Sequence, residues 1–190
     1  LDFENVLFTI ELAKACVQME VKNLIFTSSG GTVYGEITHA SSENDALAPI
    51  SSYGIGKVAS ESHLRLIASS SNLNTRILRI GNPYGRVDTH ASEINGVIPY
   101  FIRQIINKEP AILFGNTVRD FIYIEDIIQA NIKACNPKQS GIYNVGTGNA
   151  RSFEDIVNIL QKELNIDNGK KYIPNPFIGS YQFFTQANIA

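Results

Sequence analysis

Tyr53 and Lys57 are the pair of side chains in this chain best suited to proton transfer. On a helix, a spacing of four residues places both side chains on one face. A phenol has a pKa near ~10 and is a poor base at neutral pH, but a neighbouring cation favours the phenolate and lowers that pKa. A lysine one helical turn away therefore makes the tyrosine usable as a general acid or base.

A stretch rich in hydroxyl groups and glycine precedes this pair. The apolar run Leu24–Phe26 is typical of a buried strand, and Thr27–Gly35 follows it directly. Open α/β sheets bind ligands just past the carboxyl ends of their strands. The Tyr-x-x-x-Lys spacing alone is weak evidence, because many such pairs lie on solvated helix faces, but this stretch favours a catalytic role.

Hydrophobic periodicity predicts the elements that would position these residues. Strands are predicted over residues 23–27, 75–80, 112–115 and 142–146, and residues 121–134 run from strand into helix. Helices are predicted over residues 5–19, 53–70 and 97–106, and a further helix is capped by Ser152. We therefore expect an α/β fold.

Two further segments carry specific expectations. The polar loop Glu36–Pro49 is predicted to place its acidic residues on the solvated surface. The helix that begins at Ser152 has Asp155 near its start, where a carboxylate is favoured. Its predicted inward positions are Phe153, Ile156, Ile159 and Leu160.

Composition excludes several classes of protein. The 190 residues are 44% hydrophobic and 18% charged, which is ordinary for a globular domain or a large part of one. A net charge of −2 favours neither a nucleic-acid nor an anionic-membrane partner. The three histidines lack ligand spacing, so no metal site is expected, and two cysteines without a CxxC pair indicate a reducing, cytoplasmic location. No apolar run reaches the ~18 residues of a membrane span.

Four motifs in order resemble the extended short-chain dehydrogenase/reductase family, specifically nucleotide-sugar epimerases of the UDP-glucose 4-epimerase type. The motifs are Ser28–Gly35, Ser52–Lys57, Leu78–Gly85 and Val118–Asp126. The resemblance implies the later part of a doubly wound parallel, Rossmann-like sheet and a smaller mixed region. Residues 1–82 would form a partial NAD-binding domain, and residues 83–190 a substrate-binding region with strands that return to the sheet.

The resemblance also implies a mechanism and a cofactor site. NAD takes hydride from a sugar carbon, Tyr53 takes the hydroxyl proton, the keto sugar rotates, and hydride returns to the other face. Lys57 lowers the pKa of Tyr53 and bonds the nicotinamide ribose. Asn5 and Gly81 would complete the cofactor side of the site, although Asn5 equally fits a helix N-cap.

Three residues are implied on the substrate side, each with an alternative. Asn82 would meet the diphosphate of the nucleotide sugar, or it initiates an Asn-Pro turn. Phe114 would lie near the nucleotide base, or it packs in the core. Arg119 would bind phosphate through paired donors, or it forms an ion pair with Asp120 or Asp126.

The sequence departs from the 4-epimerase pattern at one catalytic position. Relatives carry serine or threonine three residues before the valine of Val-Tyr-Gly, where this chain has Gly30. Either Ser29 or Thr32 would then supply the hydroxyl, or the step runs with less assistance. The Asp-Glu pair of the family's dehydratases is missing here, which argues against dehydration. The tail Tyr181–Ala187 looks more like that of a heptose-nucleotide epimerase.

The family's Gly-x-x-Gly-x-x-Gly turn does not occur in this sequence, so we expect an internal piece of a longer protein. The selector between NAD and NADP lies in that turn's region. Relatives pair the helices that match residues 5–19 and 53–70 across a two-fold axis, which implies a homodimer. Two rival interpretations are a nucleotide-sugar reductase and a catalytically silent binding protein of the same fold.

Overall fold

A computed structural model describes residues 2–86, 96–136, 140–175, 179 and 181–189. Within these residues the chain alternates helices and strands, so the predicted α/β fold is confirmed. In chain order the elements are α1 (Asp2–Gln18), β1 (Asn23–Ser29), α2 (Ser52–Ser69), β2 (Asn74–Ile80), β3 (Asn82–Tyr84), α3 (Val97–Ile106), β4 (Ala111–Phe114), β5 (Val118–Tyr123), α4 (Ile124–Ala134), β6 (Gly141–Val145), β7 (Ala150–Ser152), α5 (Phe153–Leu164) and β8 (Lys170–Ile173).

The main sheet is parallel, with strand order β1-β2-β6. Its register aligns Ser29 with Ile80 and Ile80 with Val145, so the carboxyl ends of all three strands meet at one edge. Strand β6, which lies in the second half of the sequence, thus joins the sheet that β1 and β2 begin. The predicted division at residue 82 stays a prediction.

Helices cover both faces of this sheet. On one face α1 and α2 pack together through Ala13 and Leu64, against Phe26 of β1. On the other face α4 places Ile127 against Leu78. Burial of apolar side chains on both faces is the usual condition of a parallel sheet.

The second region has its own core, around strands β3-β5-β7 and β4-β8. Its buried cluster is formed by Phe101, Ala111, Leu113, Phe121, Phe153 and Val157. The predicted cap at Ser152 is confirmed, and its side chain and that of Asp155 form a capping box at the start of α5. Its predicted inward face is wrong at one position, because Ile159 is 49% exposed while Val157 is buried.

No helix in the described part of the chain is both long and apolar enough to cross a membrane.

Candidate active site

Helix α2 places Tyr53 and Lys57 side by side. The helix starts there because the Ser51 hydroxyl accepts a hydrogen bond from the Gly54 amide at 3.1 Å. Tyr53 then lies in the first turn, and the Lys57 ammonium lies 5.5 Å from the centroid of the Tyr53 ring. The phenol and the cation therefore occupy one face of the helix.

The ammonium of Lys57 is held against the end of β1. Its Nζ donates to the Thr27 carbonyl at 2.8 Å and lies 4.9 Å from the centroid of the Phe26 ring. Burial lowers the pKa of Lys57, and the nearby Glu61 carboxylate opposes that shift. Lys57 is thus a fixed cation whose proton is released more easily than that of a solvated lysine.

A cavity of about 330 Å³ opens beside this pair. It is lined by Asn5, Phe8, Thr9, Leu12, Leu24, Ile25, Phe26, Thr27, Tyr53, Gly56, Lys57 and Ser60. The N-cap interpretation of Asn5 is wrong, because α1 already begins at Asp2. The structure brings Asn5 to the same cavity as Tyr53 and Lys57, whereas the candidates Ser29 and Thr32 are outside its lining.

The two candidate hydroxyls lie at the carboxyl end of β1, where Ser29 is the last residue of the strand and Thr32 belongs to the tight turn that follows. The Ser29 carbonyl accepts hydrogen bonds from the amides of Thr32 and Val33, each at 3.2 Å. Among the described residues, the buried Thr32 Oγ1 has no hydrogen-bond partner. A buried hydroxyl without a partner is uncommon in folded proteins.

Close packing explains two glycines of this region. A Cβ at Gly30 would lie 2.9 Å from the Arg79 carbonyl, so a hydroxyl-bearing residue does not fit there without a backbone shift. A Cβ at Gly54 would lie 2.8 Å from the Thr32 carbonyl, which rests against the first turn of α2. The turn formed by residues 29–33, called the hydroxyl turn below, is therefore packed directly beside Tyr53.

Arg119 is buried near the start of β5, with 4% of its surface exposed. Its guanidinium donates to the carbonyls of Val118 and Gln182 and lies 4.7 Å from the centroid of the Tyr181 ring. Burial is the main cause that lowers its pKa. No ion pair among the described residues joins Arg119 to a neighbouring aspartate, so that alternative is wrong.

Asp120 serves the tail of the chain instead. Its carboxylate accepts from the Thr147 amide at 2.8 Å, from the Thr147 hydroxyl at 2.5 Å, and from the amides of Gly148 and Ala187 at 3.0 Å each. The group is 1% exposed. It therefore anchors the tail to the loop that follows β6.

Asn82 belongs to β3, which pairs in parallel with β5, so its interpretation as a turn residue is wrong. Its Oδ1 accepts a hydrogen bond from the Thr185 hydroxyl at 3.3 Å. An ideal Cβ at Gly31 would lie 3.4 Å from the same oxygen. Asn82 therefore lies between the hydroxyl turn and the tail.

The remaining two predicted residues lie away from the Tyr53 cavity lining. Phe114 ends β4 and is half-buried, outside the core cluster that includes Leu113, which disfavours its core-packing alternative. Gly81 donates its amide to the Val145 carbonyl at 2.9 Å, and a Cβ there would lie 2.9 Å from the Asp120 carbonyl. Gly81 has a packing reason, and its cofactor role stays a prediction.

The tail crosses the strand ends and contributes residues that the motifs did not predict. Gln182 donates through Nε2 to the Gly35 carbonyl at 2.5 Å, and the Phe183 amide donates to Glu36 at 3.2 Å. The resemblance of this tail to a heptose-nucleotide epimerase was the signal that could have identified it. The tail links the loop that follows Val33-Tyr34-Gly35 to the region around Arg119.

The residues present fit the nicotinamide end of NAD. The cavity is lined by a fixed cation and a phenol from α2 and by the amide of Asn5 from α1, and the unpartnered Thr32 hydroxyl lies in the turn beside α2. Such a mixture of apolar walls and a few convergent polar groups is typical of a cofactor pocket.

Two curated relatives resemble this chain. A dTDP-4-dehydro-6-deoxyglucose reductase of Escherichia coli is 38% identical over 170 residues, which cover 85% of this chain and 52% of the reductase. A putative UDP-glucose 4-epimerase of Methanocaldococcus jannaschii is 35% identical over 163 residues, covering 84% and 53%. The chain thus spans about half the length of these relatives.

Solved structures share the fold. The UDP-glucose 4-epimerase of Thermus thermophilus in complex with NAD superposes with a TM-score of 0.84 at 29% identity, covering 97% of this chain and 61% of that one. The ADP-L-glycero-D-manno-heptose-6-epimerase of Helicobacter pylori gives 0.78 at 31% identity, covering 94% and 55%. Residues 2–146 match the NAD dependent epimerase/dehydratase family, and the chain is a member of that family.

Proposed function

We propose that the gene product containing this chain is an NAD-dependent epimerase of nucleotide sugars. The observation that carries the proposal is Lys57, fixed on the Thr27 carbonyl beside Tyr53 at the mouth of an apolar cavity. When bound, NAD supplies reversible hydride acceptance from a sugar carbon. We also propose that the protein is cytoplasmic, because the low cysteine content and the two free thiols favour a reducing compartment.

In this proposal Tyr53 moves the proton. Its phenolate accepts the hydroxyl proton of the reacting sugar carbon and later returns it to the same oxygen. Lys57 holds a positive charge beside the phenol and so keeps enough phenolate at neutral pH. A hydroxyl from Thr32 or Ser29 donates a hydrogen bond to the sugar oxygen, and the unpartnered state of Thr32 favours Thr32.

The nucleotide sugar would extend from this pair toward the tail. Asn82 offers an amide at the edge of the hydroxyl turn, and Arg119 offers a buried cation for the diphosphate. Phe114 presents a half-buried ring for the nucleotide base. The proposed substrates are UDP-glucose, UDP-galactose or their N-acetyl analogues, because solved relatives include a UDP-glucose 4-epimerase with UDP-glucose from Thermotoga maritima.

A nucleotide-sugar reductase is the second candidate, because the E. coli relative bears that name. Purified gene product is incubated with each nucleotide sugar, with and without reduced nicotinamide cofactor. An epimerase converts the sugar at constant cofactor absorbance, whereas a reductase consumes one reduced cofactor for each product. Conversion coupled to stoichiometric cofactor loss would overturn the proposed epimerase, and no conversion of any nucleotide sugar would leave the silent binding protein.

The two hydroxyls give a direct comparison. We expect Thr32→Ala to lower kcat by about tenfold or more, since a lost proton-transfer partner typically costs ~10², and Ser29→Ala to have a much smaller effect. Steady-state rates of both variants on the same nucleotide sugar test this. Equal, near-wild-type rates would mean that the turn supplies no hydroxyl to the reaction.

The pH profile follows from the shifted pKa of Lys57. Because burial lowers this pKa below its ordinary value of 10.5, we expect kcat to decline at a pH below that value. The decline follows loss of the ammonium charge, since in this proposal the charged lysine must coexist with the Tyr53 phenolate to hold the nicotinamide ribose. In Lys57→Arg the decline should move to higher pH, because guanidinium stays protonated. An unchanged alkaline limb in that variant would contradict the assignment.

We also propose that the protein is a homodimer built on α1 and α2. These packed helices expose apolar side chains, among them Phe3 at 73%, Leu7 at 46% and Leu66 at 65%. Adjacent exposed apolar residues commonly mark an interface between proteins. Light scattering of the gene product should give twice the monomer mass, and a monomer at micromolar concentration would contradict this.

A further inference from the structure

A buried carboxylate lies one turn below Lys57 and is not used by the proposed chemistry. Glu61 of α2 is 2% exposed. Its Oε1 accepts from the Ser28 hydroxyl at 2.5 Å, and its Oε2 accepts from Arg79 Nη2 at 2.7 Å. Arg79 Nε lies 3.2 Å from both oxygens. Each of these hydrogen bonds joins the carboxylate to the main sheet.

The sheet register explains why these three residues meet. Ser28 of β1 and Arg79 of β2 are paired positions in neighbouring parallel strands, so both side chains point to the face that α2 covers. Arg79 Nη1 also donates to the Tyr34 hydroxyl at 3.0 Å, and that hydroxyl donates to Asn144 Oδ1 at 2.6 Å. The network thus brackets the hydroxyl turn from both of its ends, at Ser28 and at Tyr34.

Helix α2 consequently holds the end of β1 at two consecutive residues. Lys57 bonds the Thr27 carbonyl and Glu61 bonds the Ser28 side chain. The hydroxyl turn begins at the next residue, Ser29. A shift of the Glu61 carboxylate would therefore move the turn relative to the face that carries Tyr53 and Lys57.

Glu61 also sets the charge around Lys57. The groups that face the Lys57 ammonium are Tyr53 and Glu61 from its own helix, the Phe26 ring and Thr27 carbonyl from β1, and across the cavity the neutral Asn5 and Thr9 from α1. Glu61 itself faces the cation of Arg79 and the neutral Ser28 hydroxyl, with the Tyr34 hydroxyl beyond Arg79. Within this set Glu61 is the carboxylate that supports the charge of Lys57.

We propose that Glu61 is a positioning residue for the reaction, which holds Lys57 charged and the hydroxyl turn aligned with Tyr53. The inference rests on the proposed function. A buried ion pair often adds little to stability when it is compared with an apolar replacement. A role in geometry and charge therefore accounts better for a carboxylate that joins the helix of Tyr53 to two strand ends.

Glu61→Gln tests the charge, because glutamine keeps the shape of the side chain. In the gene product we expect kcat to fall about tenfold or more, as for a misplaced catalytic group, with KM changed less than about twofold. The alkaline limb of the kcat profile should move to lower pH, because the neutral amide no longer favours the Lys57 ammonium. A purely structural role would not move that limb. Unchanged kcat, or a lower kcat with an unmoved limb, would overturn the proposal.

Three further variants complete the test. Ser28→Ala retains the Glu61–Arg79 pair, so we expect a threefold or larger fall in kcat with an unmoved limb, and wild-type kcat would overturn the role in the turn. If Glu61→Gln does not fold, Glu61→Gln combined with Arg79→Met leaves no unpaired buried charge and is judged by the same two readouts. Tyr53→Phe separates the proposals: an active Tyr53→Phe enzyme refutes the proposed function, whereas an inactive one beside a wild-type Glu61→Gln refutes only this inference.

Discussion

Replacement of Tyr53 by phenylalanine is expected to lower kcat by at least ~10²-fold, the usual scale of general acid–base catalysis. The variant removes only the phenol oxygen, so the ring beside Lys57 remains. Because the oxygen acts in the proton transfer and contributes little to binding the nucleotide, KM should change little. Loss of an interaction made in the transition state has this kinetic pattern.

Tyr172→Phe is the matched control for that experiment. Tyr172 is 59% exposed in β8, and its hydroxyl donates to Glu154; neither residue lines the cavity. Steady-state kinetics of both variants on the same nucleotide sugar should separate them by about two orders of magnitude. A Tyr53→Phe enzyme with wild-type turnover would remove Tyr53 from the mechanism.

Replacement of Asp120 by alanine is expected to lower the free energy of unfolding by at least ~3 kcal/mol. The buried carboxylate accepts hydrogen bonds from the amides of Thr147, Gly148 and Ala187 and from the Thr147 hydroxyl. Its removal leaves these partly buried donors without an acceptor, and a fully buried donor in that state costs ~1–3 kcal/mol. The loss would be a large share of the ~5–15 kcal/mol stability of a typical domain.

Asp126→Ala provides the control, because Asp126 is exposed on α4. Denaturant unfolding of the gene product should show a lower midpoint for Asp120→Ala and a change within ~0.5 kcal/mol for Asp126→Ala. Equal midpoints for the two variants would contradict the anchoring role of Asp120.

The long elements were predictable because their apolar periodicity is sustained. Helix α3 has the predicted bounds Val97–Ile106, and α2 begins one residue earlier than predicted. Strands β3, β7 and β8 were not predicted, since each has only three or four residues and exists through pairing with a distant strand. Short segments of this kind lack a local pattern, so tertiary contacts decide their structure.

The candidate site likewise contains residues that the sequence predicts and residues that it does not. The shared face of Tyr53 and Lys57 follows from helix geometry alone, and the structure has it. The prediction that the acidic residues of the loop Glu36–Pro49 lie on the solvated surface is wrong at Glu43. The Glu43 carboxylate accepts a hydrogen bond from the Asn144 backbone amide at 2.7 Å. That contact joins residues 101 positions apart, so no local sequence pattern predicts it. The bonds of Glu61 and Asp120 are likewise long-range.

Epimerisation of a nucleotide sugar that carries deuterium on the inverted carbon tests the central claim most directly. The gene product is incubated with the labelled sugar in ordinary water, and the product is analysed by mass spectrometry and NMR. A hydride that leaves and returns to the same carbon predicts an epimer that retains its deuterium, with no net change in cofactor oxidation state. Loss of the deuterium to solvent, or product formed only with stoichiometric cofactor turnover, would contradict the account.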